Sequence, residues 1–373
     1  MKILVTGGAG FIGMHLSKRL LNDGHVVTIF DNFSPQVHGS NKTLPANLIG
    51  MVNLIIGDVR DPDALSAALA GQEAVIHLAA ETGTGQSMYE IKRYADVNVG
   101  GTAVLLDLLA SRGHDVQKVV LASSRAIYGE GKYLSRKLGF VYPRQRRAED
   151  MAKGLFDPLC PATGEPLELI ATDEDAKPHP LSVYGITKQT QEQMIMTVCG
   201  ALGIPATALR YQNVYGPGQS LNNPYTGILS IFSTRIKNHS PIRIFEDGIE
   251  SRDFVYVDDA VNATVLALTK KEADGEVFGI GSGVPTSVLT VARTLVDCYG
   301  ITVPIQVTGE YRVGDIRHNY ADLSKANRLL SYSPGVDFGE GIARFVAWVN
   351  TQDIARDAFD QSIEEMKSRG LMK

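Results

Sequence analysis

The chain has 373 residues, 44% of them hydrophobic, and a formal net charge of -5 with acidic and basic residues interspersed. That is enough chain for two domains or one large domain with a smaller lobe, and it offers neither a basic stripe for nucleic acid nor a polybasic segment for a membrane. No apolar run approaches roughly 18 residues and "MKILV" is too short for a signal core, so a cytoplasmic protein is expected. The three cysteines, Cys160, Cys199 and Cys298, form no C-x-x-C pair, which argues against a disulfide framework or a zinc site.

Short β-branched runs alternate with helical spacing through the first half. Strands are expected at Lys2 to Thr6, His25 to Phe30, Val52 to Gly57, Ala74 to Leu78, Lys118 to Ala122 and Ala206 to Arg210. Helices are expected at Phe11 to Leu21, Pro62 to Leu69, Asp96 to Ser111 and Tyr184 to Cys199. This alternation predicts an α/β fold, a doubly wound parallel sheet of Rossmann type spanning residues 1–210. From residue 211 to about 350 the rhythm loosens into a smaller substrate-binding lobe, with helices at Gly227 to Asn238, Val257 to Leu268, Val288 to Tyr299 and Phe338 to Val349. Residues 351–373 read as a helical tail, with Ile354, Ala358, Phe359, Ile363 and Met366 on one face. An insertion at about 130–180 breaks the pattern; it is long enough to imply a function or disorder, and it carries Arg144, Arg146 and Arg147. Within it, "CPATG" looks like half of a metal knuckle, but Thr163 stands at the second thiol position, so no metal is expected.

"VTGGAGFIG" follows the first strand and opens a helix, satisfying G-x-G-x-x-G through Gly8, Gly10 and Gly13. Gly7 permits the sharp turn, and the helix start, with Phe11 and Ile12, offers its amides to a pyrophosphate. Gly13 lets the helix lie close to the sheet. Asp31 ends the second strand, where a carboxylate accepts from a ribose 2'-hydroxyl and repels a 2'-phosphate, favouring NAD over NADP. Asn32 adjoins it. Asp58 and Val59 would sit by the adenine, although Asp58 reads equally well as a cap of the following helix.

In "SVYGITK", Tyr184 and Lys188 are four apart on one helical face, a spacing that otherwise marks only a solvated surface. A phenol acting as a base near neutrality needs its pKa lowered by about three units, roughly 4 kcal/mol. An ammonium about 4 Å away supplies a comparable amount at an effective dielectric near 20.

Taken together, Thr6-Gly7-x-x-Gly10-x-x-Gly13, Asp31, "HLAA" (His77 to Ala80), Ser124, Tyr184-x-x-x-Lys188 and "RYQNVYGPG" resemble the extended short-chain dehydrogenase/reductase family, from Met1 to about Val349. The resemblance implies NAD as cofactor, Ser124, Tyr184 and Lys188 as catalytic residues, and Leu78, Ala79, Ala80 and Asn98 as further cofactor contacts. It also implies a homodimer formed through the helices Asp96 to Ser111 and Tyr184 to Cys199. Dehydratases of the family carry Asp-Glu after the position of Ser124; this chain has Arg125-Ala126, and no Cys/His pair for epimerisation at C3 and C5 is found. Hydride chemistry at one carbon is what remains.

By the same resemblance, Thr84, Gln86, Ser124, Arg125, Asn213, Phe245, Arg252, Arg312 and Asp315 line a substrate site. Arg252 and Arg312 would grip a diphosphate, Asp315 a ribose and Phe245 a nucleobase, although each arginine could be a surface ion pair and Phe245 a core residue. "TGQSMYE", "NPYTG", "IFEDG" and the insertion bring the chain nearest to the dTDP-L-rhamnose 4-epimerases of the family. The expected activity is NAD-dependent epimerisation at C4 of a dTDP- or UDP-linked sugar. UDP-glucose or UDP-glucuronate epimerisation, 4-keto reduction and a non-catalytic NAD-sensing scaffold are the rivals.

Overall fold

In the computed structural model, residues 1–40, 42–111, 113–221, 223, 227–353 and 359–373 are described. Pro224 to Thr226 of "NPYTG", and Ile354 and Ala358 of the expected tail face, lie outside these residues.

Seven parallel strands form the main sheet, in the order Val277–Ile280, Ala206–Tyr211, Lys118–Ser124, Ala74–His77, Lys2–Thr6, Val26–Asp31, Asn53–Ile56. Alternation along each strand decides which face is covered by what. Ile3, Val5, Ile29, Ile76 and Val120 turn to one face, with Leu16 and Leu20 of the helix Phe11–Asn22 and with Val257–Thr269. Leu4, Phe30, Val75, Val119, Leu121 and Ala208 turn to the other, against Leu65, Leu105, Leu109, Ile195 and Cys199. Strand order reverses beside Lys2–Thr6, which opens the crevice in which such sheets take their ligands.

The helix expected over Asp96 to Ser111 is two pieces, a π-helical turn Ala95–Gly100 and an α-helix Gly101–Ala110. The chain is pressed against a neighbour here: a Cβ on Gly101 would lie 2.5 Å from Val59 Cγ2. The wider π turn aims the Asn98 side chain at the loop after Ala74–His77.

The sheet's last strand, Val277–Ile280, comes from the segment expected to form the smaller lobe. The insertion is ordered, built on a three-stranded antiparallel sheet of Gly139–Val141, Tyr133–Ser135 and Glu168–Leu169. The tail forms the helix Phe359–Ser368, burying Phe359, Ile363 and Met366, and then pairs with the segment around Arg312 through a bridge to Met372. Among the described residues, no helix is long and apolar enough to cross a membrane.

Candidate active site

A cavity of about 760 Å³ runs from the glycine turn to the C-terminal ends of the central strands. Gly7 has φ +68°, and a Cβ there would lie 2.8 Å from the Ala79 amide nitrogen. A Cβ on Gly13 would come within 2.6 Å of the Gly8 backbone. No side chain caps the helix Phe11–Asn22, so its first amides remain available to an anion. Asp31 closes this end: its Oδ2 accepts from Ala9 N at 3.0 Å and its Oδ1 from Phe33 N at 2.8 Å, leaving further lone pairs for a diol.

Gly7, Gly10, Phe11, Ile12, Gly13, Asp31, Asn32, Val59, Leu78, Ala79, Ala80, Ser124, Tyr184, Lys188 and Asn213 all line the cavity. Asp58 stands outside it, its carboxylate engaged by Arg60 and by Asn32 Nδ2 and held well below the usual range, chiefly by the Arg60 hydrogen bonds. Asn98 stands behind the wall, fully buried. Its Oδ1 accepts from Glu81 N at 2.7 Å, and its Nδ2 donates to Glu81 O and Thr187 Oγ1, so it fixes the loop and helix that carry other contacts.

Close approach of two elements brings Ser124 and Tyr184, two of the three expected catalytic residues, together. Ser182 caps the helix Val183–Leu202, accepting from Gly185 N, and a Cβ on Gly185 would lie 2.6 Å from Ala126 O. Only a glycine lets this helix start so near the end of Lys118–Ser124 and bring Tyr184 to Ser124. Ser124 Oγ in turn accepts from Ala126 N at 3.1 Å.

The electrostatics depart from the sequence expectation. Burial pushes the Tyr184 phenol above its ordinary value, while a hydrogen bond with Ser124 and the Arg125 guanidinium pull it down. The Lys188 ammonium, on the cavity wall, is also held from behind: Nζ donates to Gln191 Oε1 at 2.7 Å. Burial pushes Lys188 down to about 7, against the pull of Glu192. Arg125 is a further cation acting on Tyr184, one that no spacing rule indicated.

Substrate-side candidates fall into two groups. The side chains of Arg125 and Arg312 form no hydrogen bond or ion pair with a described residue; the Arg312 guanidinium lies 4.7 Å from the Phe245 ring centroid and its buried Nε has no partner. Arg252 is committed to the protein, donating to Asp315 Oδ1 at 2.9 Å and to the carbonyls of Ser251, Ile316 and Arg317. The cations Arg252, Arg312, Arg125 and Arg146 together hold Asp315 below the usual carboxylate value although burial opposes them. Gln86 is buried and bonded to Gln36, Glu90 and Tyr94. Of the substrate-side candidates, Ser124 and Asn213 line the cavity, and Thr84, Gln86, Arg125, Phe245, Arg252, Arg312 and Asp315 do not.

Two features were not legible beforehand. Arg146, from the insertion, is buried between Glu130 and Glu246 and donates to the Asp315 carbonyl at 3.0 Å. Arg317, also buried, binds Asp157, Glu246 and Asp247. The arginine cluster announced that the insertion carried charge, but not that Arg146 alone would turn inward. Phe359 of the tail stacks on Phe245 at 6.3 Å, and Arg369 lies over Tyr89 at 4.3 Å, so the tail touches two segments that are far apart in sequence.

Residues 3–281 match the NAD dependent epimerase/dehydratase family. The chain belongs to this family. It is 41% identical to the dTDP-L-rhamnose 4-epimerase of Burkholderia thailandensis, over 93% of this chain and 94% of that one. Among solved structures, the UDP-glucose 4-epimerase of Thermotoga maritima with UDP-glucose superposes with a TM-score of 0.77 at 33% identity, covering 94% of this chain and 99% of the other. The UDP-glucuronic acid 4-epimerase of Bacillus cereus, in complex with UDP-glucuronic acid and NAD, gives 0.77 at 30% identity with the same coverage. NAD is the cofactor of this epimerase/dehydratase family member, and the uncapped helix, the tight glycines and Asp31 suit it.

Proposed function

We propose that the chain is an NAD-dependent 4-epimerase of a nucleotide-diphosphate sugar, of the dTDP-L-rhamnose type. The observation that carries this reading is the meeting of Tyr184, Ser124 and Lys188 in one cavity with Arg125-Ala126 where a dehydratase has its acid and base. NAD, when bound, supplies a hydride acceptor and donor at a single carbon. Tyr184 removes the C4 hydroxyl proton while Ser124 holds the C4 oxygen, and Lys188 and Arg125 supply the positive charge that a buried phenolate requires. The resulting 4-keto sugar turns about its phosphate linkage, and Tyr184 returns the proton once the opposite face has been reduced. Arg312, unpaired and stacked on Phe245, is suited to hold the diphosphate during that turn.

The test is incubation of purified protein, without added NAD, with dTDP-rhamnose, UDP-glucose and UDP-glucuronate, followed by NMR of the sugars. Appearance of the C4 epimer of at least one, with dTDP-rhamnose converted fastest, is the expected result; no epimer from any of the three overturns the reading. We also propose a cytoplasmic homodimer formed through the helices near Asp96 to Ser111 and Tyr184 to Cys199, where Ile91 and Ile186 are half exposed. Light scattering on the purified protein checks the dimer.

A further inference from the structure

Behind the cavity, a chain of hydrogen bonds leads away from Lys188 through four elements. Lys188 Nζ donates to Gln191 Oε1 at 2.7 Å, and Gln191 Nε2 donates to Thr102 Oγ1 at 2.7 Å. Thr102 Oγ1 donates its one proton to Asn98 O at 2.6 Å. It must therefore accept from His77 Nε2, 3.1 Å away, so this imidazole carries its proton on Nε2 and accepts at Nδ1 from Thr6 Oγ1 at 2.7 Å. Thr6 is the last residue of the first strand and directly precedes Gly7.

Every donor in this chain is used in one direction only. Turning the Gln191 amide over would set its NH2 against the Lys188 ammonium and its oxygen against a Thr102 oxygen whose proton is already placed on Asn98. The wall thus fixes which end of the amide Lys188 meets. His77 is fully buried and burial, with the Lys188 cation, pushes it down to about 3, so it stays neutral and keeps the polarity constant across the working pH range.

We propose that Gln191 is a positioning residue for the reaction: its oriented carbonyl holds the Lys188 ammonium in place and favours the charged form of that lysine. The charged and titratable groups around Lys188 are few. Tyr184 and Glu192 share its helix, His77 faces it from Ala74–His77, and the Glu192 charge is already taken up by Arg210 from Ala206–Tyr211 and by Ser123 from Lys118–Ser124. Gln191 is the group that can stabilise the ammonium without neutralising it, so the positive charge remains available to the phenol. One hydrogen bond leaves two of the three Nζ donors free toward the cavity.

The inference rests on the acid–base roles given above to Tyr184 and Lys188, and the test separates the two. In holoenzyme labelled with ¹³C-lysine, the Lys188 titration is followed by NMR in wild type, Gln191→Leu and Gln191→Glu, and kcat and KM are measured against pH in parallel. The midpoint falls in Gln191→Leu, which lacks the acceptor, and rises in Gln191→Glu, which keeps it and adds charge. In Gln191→Leu, kcat falls about tenfold, the lower end of what a hydrogen bond to a charged group contributes, with KM within about twofold. The basic limb of kcat, where the Lys188 charge is lost, moves down in Gln191→Leu and up in Gln191→Glu. Unchanged Lys188 midpoints, or equal losses of kcat in both variants with no movement of the basic limb, overturn the proposal and leave Gln191 a packing residue. Midpoints that shift as stated while kcat stays at wild type support the positioning and overturn the role of Lys188 in turnover.

Discussion

The cofactor end of the cavity and the proposed substrate end, a charged network beyond the cavity's lining, are held together by different kinds of force. At the cofactor end the geometry is made by backbone: Gly7, Gly13 and Gly185 allow approaches that a single methyl would block, and the ligand-facing donors are main-chain amides. At the substrate end it is made by charge: Arg146, Arg317, Glu130, Glu246 and Asp315 come from segments far apart in sequence and meet in a buried network. The first end fails when an atom is added, and the second when one is removed.

Tyr184 stands where the two ends meet. Tyr184→Phe is expected to lower kcat by about 10² to 10⁴ while retained NAD, read by absorbance of the denatured supernatant, is unchanged. A parallel loss of NAD would place this residue in the cofactor end alone. Arg146→Ala leaves Glu130 buried without a guanidinium and Glu246 with that of Arg317 alone, which costs about 3 kcal/mol by chemical denaturation and raises KM for the sugar nucleotide. If stability is kept, the substrate end is not built on charge. Gly13→Ala costs about 1–3 kcal/mol through overpacking and empties the protein of NAD, seen as loss of cofactor on gel filtration. Deleting residues 359–373 removes Phe359 from Phe245 and Met372 from the Arg312 strand; affinity for UDP or dTDP by calorimetry is expected to fall about tenfold, about 1.4 kcal/mol, with NAD content unchanged.

The contrast also governs what could be read from the sequence. The glycine turn, Asp31, the six early strands and the helices Pro62–Leu69 and Val288–Tyr299 are written in local spacing, and the structure places them where that spacing puts them. Gly101 was read only as a helix residue, because its contact with Val59 is a tertiary fact that no local pattern encodes. The strand Val277–Ile280 was missed for a similar reason: four residues complete a sheet only by lying beside Ala206–Tyr211. The spacing of Tyr184 and Lys188 is local, but the hydrogen bond the lysine ammonium makes depends on Gln191, Thr102 and His77, whose agreement is visible only once three elements are packed together. Ion pairs such as Arg146 with Glu246 leave no periodic trace at all.

The chain leaves the main sheet after Tyr211 and again after Ile280, and Gln212 N donates to Ile280 O at 2.8 Å, so the two exits run side by side. One buried hydrophobic core, from Ile3 on the first strand to Val349 at the end of Phe338–Val349, continues across this junction. The exits are thereby stitched into a single close-packed body, in which a substitution that loosens one is felt by the other.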